Sequence, residues 1–314
     1  MQMPTYKEGS LVFIKAILLS LAVQMLFSII VTAIVVGTGG NSTEIPTIYS
    51  IIAMIGIQGG FFVAVYSSVK MRGVGVAYLK EEKVTPLGVI LAVVVAVTLI
   101  ACFSLIAEWF AIFLHSIGYK QSGLELNGAL EWVLAVIAVV ILAPIMEETI
   151  FRSMLLGGLR TKFKPCISVL LSGLCFALMH MSAEQTVYQF ILGSTCAIIV
   201  LSSGSYVYSI ITHAVSNLIA LILPLIPLPK SSFGNVSVLL DNPALSAIIT
   251  VALALVGCAV IGLIAWLYSK KRGATAYAPA EKEEEGSFSA NAMLIASIVI
   301  CLVMWISNAV VALS

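Results

Sequence analysis

The sequence predicts an all-α fold, a polytopic transmembrane bundle of about eight or nine spanning helices. Three observations predict it. Hydrophobic residues make up 61% of the 314 residues, charged residues make up only 10%, and apolar runs long enough to cross a bilayer follow one another with short polar breaks. The mean hydropathy is +1.11. This composition excludes a soluble domain with a solvated face, and the net charge of +1 gives no indication of a nucleic-acid partner.

The apolar runs divide the chain into N-terminal helices (1–128), a central core (129–226) and C-terminal helices (227–314). Basic residues cluster in the breaks that contain Lys70, Lys164 and Lys270, and they are sparse in the other breaks. The positive-inside rule therefore predicts a cytoplasmic N-terminus, and the cell membrane is the expected location. The predicted spans are 11–36, 48–69, 87–114, 129–159, 166–182, 186–202, 206–226, 244–269 and 290–313.

The six cysteines fall inside or at the edge of apolar runs, and no CxxC spacing occurs. We expect free thiols that pack as small apolar groups.

Charged residues inside an apolar span carry most of the functional information, since each costs about 2.5–3.5 kcal/mol to insert. The largest cluster is Glu147-Glu148 followed by Arg152, in the fourth span. Glu148 and Arg152 are four residues apart and share a helix face, whereas Glu147 points about 100° away from Glu148. We therefore expect an ion pair between Glu148 and Arg152, with Glu147 facing a cavity. The alternative is that these charges merely mark the wet end of a span.

Two more polar pairs lie on later apolar helices, Phe176-x-x-x-His180 and His213-x-x-x-Asn217. Glu148 lies 16 residues before Lys164 and His180 lies 16 residues after it, so two antiparallel helices bring both to about the same depth. His213 is nearer its own turn, so its helix must begin deeper or tilt to reach them. Taken singly, these residues could be an interfacial histidine and a polar contact between helices.

Two imidazoles and a carboxylate are the ligand types of a catalytic zinc site, which would use His180, His213 and Glu147. The same groups also suit a metal-free scheme, in which a glutamate takes a proton from water while a histidine and Asn217 donate to the oxyanion. The residues do not choose between these schemes.

The three motifs, in this order and on separate helices, resemble the CPBP family of CAAX-processing and bacteriocin-processing enzymes, also called the Abi family. The resemblance covers about residues 129–222. It implies an intramembrane metalloprotease that hydrolyses a peptide bond in a membrane-associated or lipidated peptide or protein. It also implies the roles of six residues: Glu147 is the base, Glu148 and Arg152 support it, His180 and His213 bind metal or water, and Asn217 stabilises the oxyanion.

Two other functions remain open. One is a catalytically silent scaffold or bacteriocin-immunity protein of the same family, which would bind a peptide or partner without cutting it. The other is a small-solute transporter that uses the glutamates and histidines as a proton relay. A further acid, Glu108, stands late in the third span and is expected at the outer interface rather than in the catalytic set.

Overall fold

The computed structural model describes residues 4–37, 47–70, 84–120, 126–225, 242–272 and 287–313. Over these ranges the chain forms nine helices and no strand, which confirms the predicted all-helical fold. The predicted border at 226/227 between the core and the C-terminal helices lies outside the described residues. The helices are α1 (Tyr6–Gly37), α2 (Thr47–Lys70), α3 (Pro86–Ser116), α4 (Ala129–Lys162), α5 (Pro165–Met179), α6 (Thr186–Ser203), α7 (Val207–Ile222), α8 (Pro243–Arg272) and α9 (Ser287–Leu313).

Eight of these helices are long and apolar enough to cross a membrane, so the protein is an integral, multi-pass membrane protein. The exception is α5, whose 15 residues extend for only about 22 Å against an apolar bilayer thickness of about 30 Å. The segment 166–182 is therefore shorter than predicted. It ends at Met179 because Met181 adopts a left-handed conformation, with φ of 52°, directly after His180.

The outer surface of the bundle carries large apolar side chains with nothing packed over them. Met25, Ile248 and Leu255 are each 66% exposed. In a soluble protein such a surface would drive aggregation, whereas in a membrane it is the surface that contacts the lipid chains. Charged and polar side chains lie buried inside the bundle, among them Glu148, Arg152 and His213.

Helix α4 is continuous, but two of its stretches are wound as π-helix, Val136–Leu142 and Thr149–Leu156. Pro144 explains the first stretch, because proline has no N–H and its ring needs room in the preceding turn. Within this stretch Ala143 donates to the carbonyl five residues back, that of Ala138. The next carbonyl, Val139 O, would pair with Pro144 N, which has no hydrogen, and it accepts instead from Asn217 Nδ2 at 2.8 Å. The proline thereby creates the acceptor that attaches α7 to α4.

Helix α7 begins inside the protein rather than at its edge. The turn before it contains Gly204, at φ of 74°, and the flanking Ser203 and Ser205 are 5% and 0% exposed. Further along, Thr212 donates to Ala92 O of α3 at 3.0 Å. The requirement that the sequence left open is met, since His213 Nδ1 lies 3.1 Å from Glu148 Oε1.

Candidate active site

Four of the six predicted site residues line one cavity of about 360 Å³ among α1, α2, α4, α6, α7 and the loop after α5. They are Glu147, His180, His213 and Asn217. The other two, Glu148 and Arg152, are fully buried beside this cavity, each with 0% exposure. All six residues are thus brought together, although they come from three segments of the core.

The expected ion pair between Glu148 and Arg152 is present. Arg152 Nε lies 3.0 Å from Glu148 Oε2, and a second guanidinium nitrogen donates to Oε1 at 3.3 Å. The third nitrogen donates to Ser172 Oγ on α5 at 3.2 Å. The guanidinium carbon also lies 4.9 Å from the centre of the Phe176 ring. Arg152 is therefore held by a carboxylate, a hydroxyl and an aromatic face, the arrangement that a buried charge requires.

Glu148 also orients His213. Its Oε1 lies 3.1 Å from His213 Nδ1, and because the carboxylate is an acceptor, the ring nitrogen is the donor. In the neutral imidazole this assignment leaves Nε2 with a free lone pair. His213 Nε2 lies 4.0 Å from Glu147 Oε2. A carboxylate behind the remote nitrogen is the usual support of a histidine that binds metal or water.

His180 is oriented in the same way by a backbone carbonyl. Its Nδ1 donates to Phe176 O at 2.8 Å, so its Nε2 lone pair is also free, and this Nε2 lies 4.0 Å from the same Glu147 Oε2. The fully buried Phe176 ring packs edge-on against both imidazoles, with centres 4.8 Å from His180 and 5.5 Å from His213. Phe176 thus contacts both histidines and supports Arg152, a role that its position in the motif did not reveal.

Three acceptors therefore converge, the Glu147 carboxylate and two imidazole nitrogens. This set fits zinc in donor chemistry and in the support behind each histidine. The distances from Glu147 Oε2 to the two imidazole nitrogens, 4.0 Å each, are about 0.6 Å longer than a zinc site requires. Two ligands on one tetrahedral zinc lie about 3.4 Å apart. No group of three His, Cys, Asp or Glu side chains within the described ranges has the spacing of a metal site. A water molecule hydrogen-bonded to two acceptors spans about 4.0–4.6 Å, so the same distances accommodate a water.

Asn217 uses one of its two amide hydrogens to bind Val139 O at 2.8 Å. The second hydrogen is available to a ligand in the cavity. The carbonyl of Val139, which Pro144 leaves without a backbone donor, therefore fixes the direction of the Asn217 amide. This is the amide that was predicted to stabilise the oxyanion.

The cavity also contains polar residues that the motif search missed. Four glutamines line it, of which Gln24 and Gln58 lie on α1 and α2, outside the core. The acceptor oxygens of Gln58 and Gln189 are buried and have no hydrogen-bond partner within the described part of the chain. Each such orphaned acceptor costs about 1–3 kcal/mol. A search for polar residues inside apolar spans would have found Gln24 and Gln58.

Glu108 lies apart from this site. It is exposed and lines a second cavity of about 360 Å³ with Glu184 and Tyr188. Gln185 lines both cavities, so the two adjoin. All six cysteines are free thiols, as predicted, and none is among the residues lining either cavity.

A comparison with known protein families relates the core to one of them. Residues 129–219 match the family model of the type II CAAX prenyl endopeptidase, Rce1-like. This segment is similar to that family, and it makes up less than a third of the chain. The family resemblance inferred from the motifs is therefore confirmed over this segment, which contains all six site residues and lies within the predicted core 129–226. Neither a curated protein nor a solved structure gives a significant match to the chain.

Proposed function

We propose that this Rce1-like protein is an intramembrane endopeptidase of the CAAX type, which hydrolyses a peptide bond in a membrane-associated or lipidated peptide. The observation that supports it is the position of Glu147. Its carboxylate is only 13% exposed, lines the cavity and lies 4.0 Å from an imidazole nitrogen of each of two histidines, His180 and His213. A carboxylate in such a place is suited to take a proton from a water held between these groups.

The proposed reaction runs through Glu147. As the water oxygen attacks the scissile carbonyl carbon, Glu147 accepts one of the water protons. The carbonyl oxygen becomes an oxyanion, and the free N–H of Asn217 donates to it. When the C–N bond breaks, protonated Glu147 returns the proton to the leaving amine.

In this proposal the ion pair of Glu148 and Arg152 acts through His213 and does not touch the substrate. Glu148 fixes the ring of His213 so that its Nε2 faces Glu147, and Arg152 keeps Glu148 ionised in a site with no solvent access. A buried carboxylate without such a partner would take up a proton and lose its hold on the histidine.

Zinc is a separate proposal, and Glu147, His180 and His213 would hold it. A bound zinc ion would supply a Lewis acid for the attacking water and the carbonyl.

We propose as well that the N-terminus and the basic breaks face the cytoplasm, from which the substrate reaches the site, and that the cell membrane is the location.

The test is cleavage by the purified protein in bilayers. A mixed peptide library with prenylated members is incubated with the protein, and the products are identified by mass spectrometry. Glu147→Gln should lower the rate by about 10³-fold or more, because it removes the base while keeping the shape of the side chain. Glu108→Gln is the matched control, the same chemical change in the neighbouring cavity, and it should leave the rate within about twofold.

The outcomes separate the alternatives. Cuts that persist unchanged in a folded Glu147→Gln protein contradict the proposed base. If the wild-type protein binds library members but cuts none, the scaffold hypothesis replaces the peptidase. Chelation followed by zinc addition tests the metal: activity that is lost and then restored by zinc supports it, and activity that survives exhaustive chelation contradicts it.

A further inference from the structure

The glutamines of this protein have an uneven distribution. The chain has six, and the four that fall within the described residues, Gln24, Gln58, Gln185 and Gln189, all line the cavity of Glu147. They come from α1, α2, the loop before α6 and α6 itself. Primary carboxamides are therefore concentrated around the proposed scissile bond.

In two of these carboxamides the oxygen accepts no hydrogen bond within the described part of the chain. Gln58 is only 8% exposed and its Oε1 has no hydrogen-bond partner within the described part of the chain, and the same holds for Oε1 of Gln189. Two hydroxyls on the same helices, α1 and α2, are paired instead. Ser20 donates to Ile17 O at 2.8 Å and Ser68 donates to Ala64 O at 2.9 Å, the usual bond of a hydroxyl to its own helix. Glutamines that merely joined two helices would likewise be paired, so these oxygens point to a ligand that donates hydrogen bonds.

The chemistry of the ligand follows from the carboxamide. Its C=O and NH₂ groups complement the N–H and C=O of a peptide backbone, and as a neutral group it does not compete with the charge of Glu147. A peptide that enters a lipid-enclosed cavity leaves water behind, so its backbone groups must find partners there. A helical segment has already paired these groups internally, whereas an extended segment has not.

We infer that the cavity binds its substrate as an extended peptide, with backbone N–H groups beside the scissile bond donating to Gln58 Oε1 and Gln189 Oε1. This inference rests on the proposed peptidase function and adds the substrate class: an extended or unwound segment rather than an intact membrane helix. It also gives α2 a role in recognition, although α2 lies outside the segment 129–219 that matches the family.

The experiment is a methylation scan of a cleaved peptide. In a series of peptides one backbone N–H at a time, on either side of the cut, is replaced by N–CH₃. The value of kcat/KM is measured for the wild-type protein and for Gln58→Met and Gln189→Met, which keep the side-chain length and remove the acceptor. Met25→Leu is the control, since Met25 is 66% exposed on the outer surface of α1 and is not among the residues that line the cavity.

Each glutamine variant should lower kcat/KM for the parent peptide about tenfold, mainly through KM, while its melting temperature stays the same or rises. Methylation at one position should cost the wild-type protein about tenfold and cost the matching variant little. Equal penalties in all proteins at every position would overturn the inference, even with the peptidase function intact. If the wild-type protein cuts nothing, the same scan is run as peptide binding by fluorescence anisotropy. A methylation penalty that vanishes in Gln58→Met supports the inference, and a uniform penalty again overturns it.

Discussion

The buried ion pair gives a sharp prediction about stability. Arg152→Met removes one charge and leaves Glu148, at 0% exposure, with hydrogen bonds from His213 and Ser209 but no cationic partner. Glu148→Leu leaves the Arg152 charge with Ser172 and the Phe176 ring. Breaking a buried pair in this way costs about 3–5 kcal/mol of the free energy of unfolding, because one charge stays buried without its partner.

The double variant Glu148→Leu with Arg152→Met should be more stable than either single variant. It buries no uncompensated charge, and its remaining cost is about 1–2 kcal/mol, for the hydrogen bonds that His213 and Ser172 lose. Its peptidase activity should nevertheless stay about 10–100-fold below wild type, since the carboxylate that orients His213 is gone. Stability and activity are thus predicted to separate.

The assay is unfolding by titration with sodium dodecyl sulfate in mixed micelles, followed by circular dichroism, alongside peptide cleavage. If the costs of the two single variants simply add in the double variant, the two residues do not interact, and the account of the pair is refuted. Recovery of full activity in the double variant would refute the role assigned to Glu148 in orienting His213.

Two more predictions concern how the histidines are held. Gly193→Ala should lower activity at least tenfold, with about 1–3 kcal/mol lost in the same unfolding assay. The new Cβ would lie 2.9 Å from a ring carbon of Phe176, whose ring contacts both imidazoles. Gly262→Ala, which meets nothing within 4 Å, should be neutral or stabilising. Asn308→Leu should cost about 1 kcal/mol and raise hydrogen exchange in the loop after α5, because Asn308 donates to Met181 O at 3.0 Å; unchanged exchange would exclude this anchoring.

Relations within one helix could be predicted from the sequence. The four-residue spacing of Glu148 and Arg152 predicts their contact, and the angle between adjacent residues directs Glu147 elsewhere. The predicted level of His180 with the glutamates also agrees with the structure, since it needs only the helical rise and one turn at Lys164. The level of His213 could not be predicted, because it depends on how deeply the turn at Gly204 is buried.

The glutamine-lined wall of the cavity shows the same limit. Gln58 stands in an apolar span and could be singled out as polar, but its direction depends on how α2 packs beside α4. The sequence motifs of the core also gave no reason to connect it with Glu147. The Phe176 ring is similar. Its motif spacing shows that its carbonyl lies one helical turn before His180, and only the tertiary structure shows that its ring contacts two imidazoles.

The sequence by itself determined that the protein is a membrane-embedded helical bundle and which family its core resembles, and its motifs singled out six polar residues that the fold brings together. These conclusions depend on composition and on spacing along single helices, where the backbone geometry is constant. Only the tertiary structure decided that α5 ends after 15 residues, that Asn217 takes the carbonyl freed by Pro144, and that α1 and α2 complete the cavity. Contacts between helices depend on tilt, depth and side-chain packing, and these are set by the whole bundle rather than by any one segment.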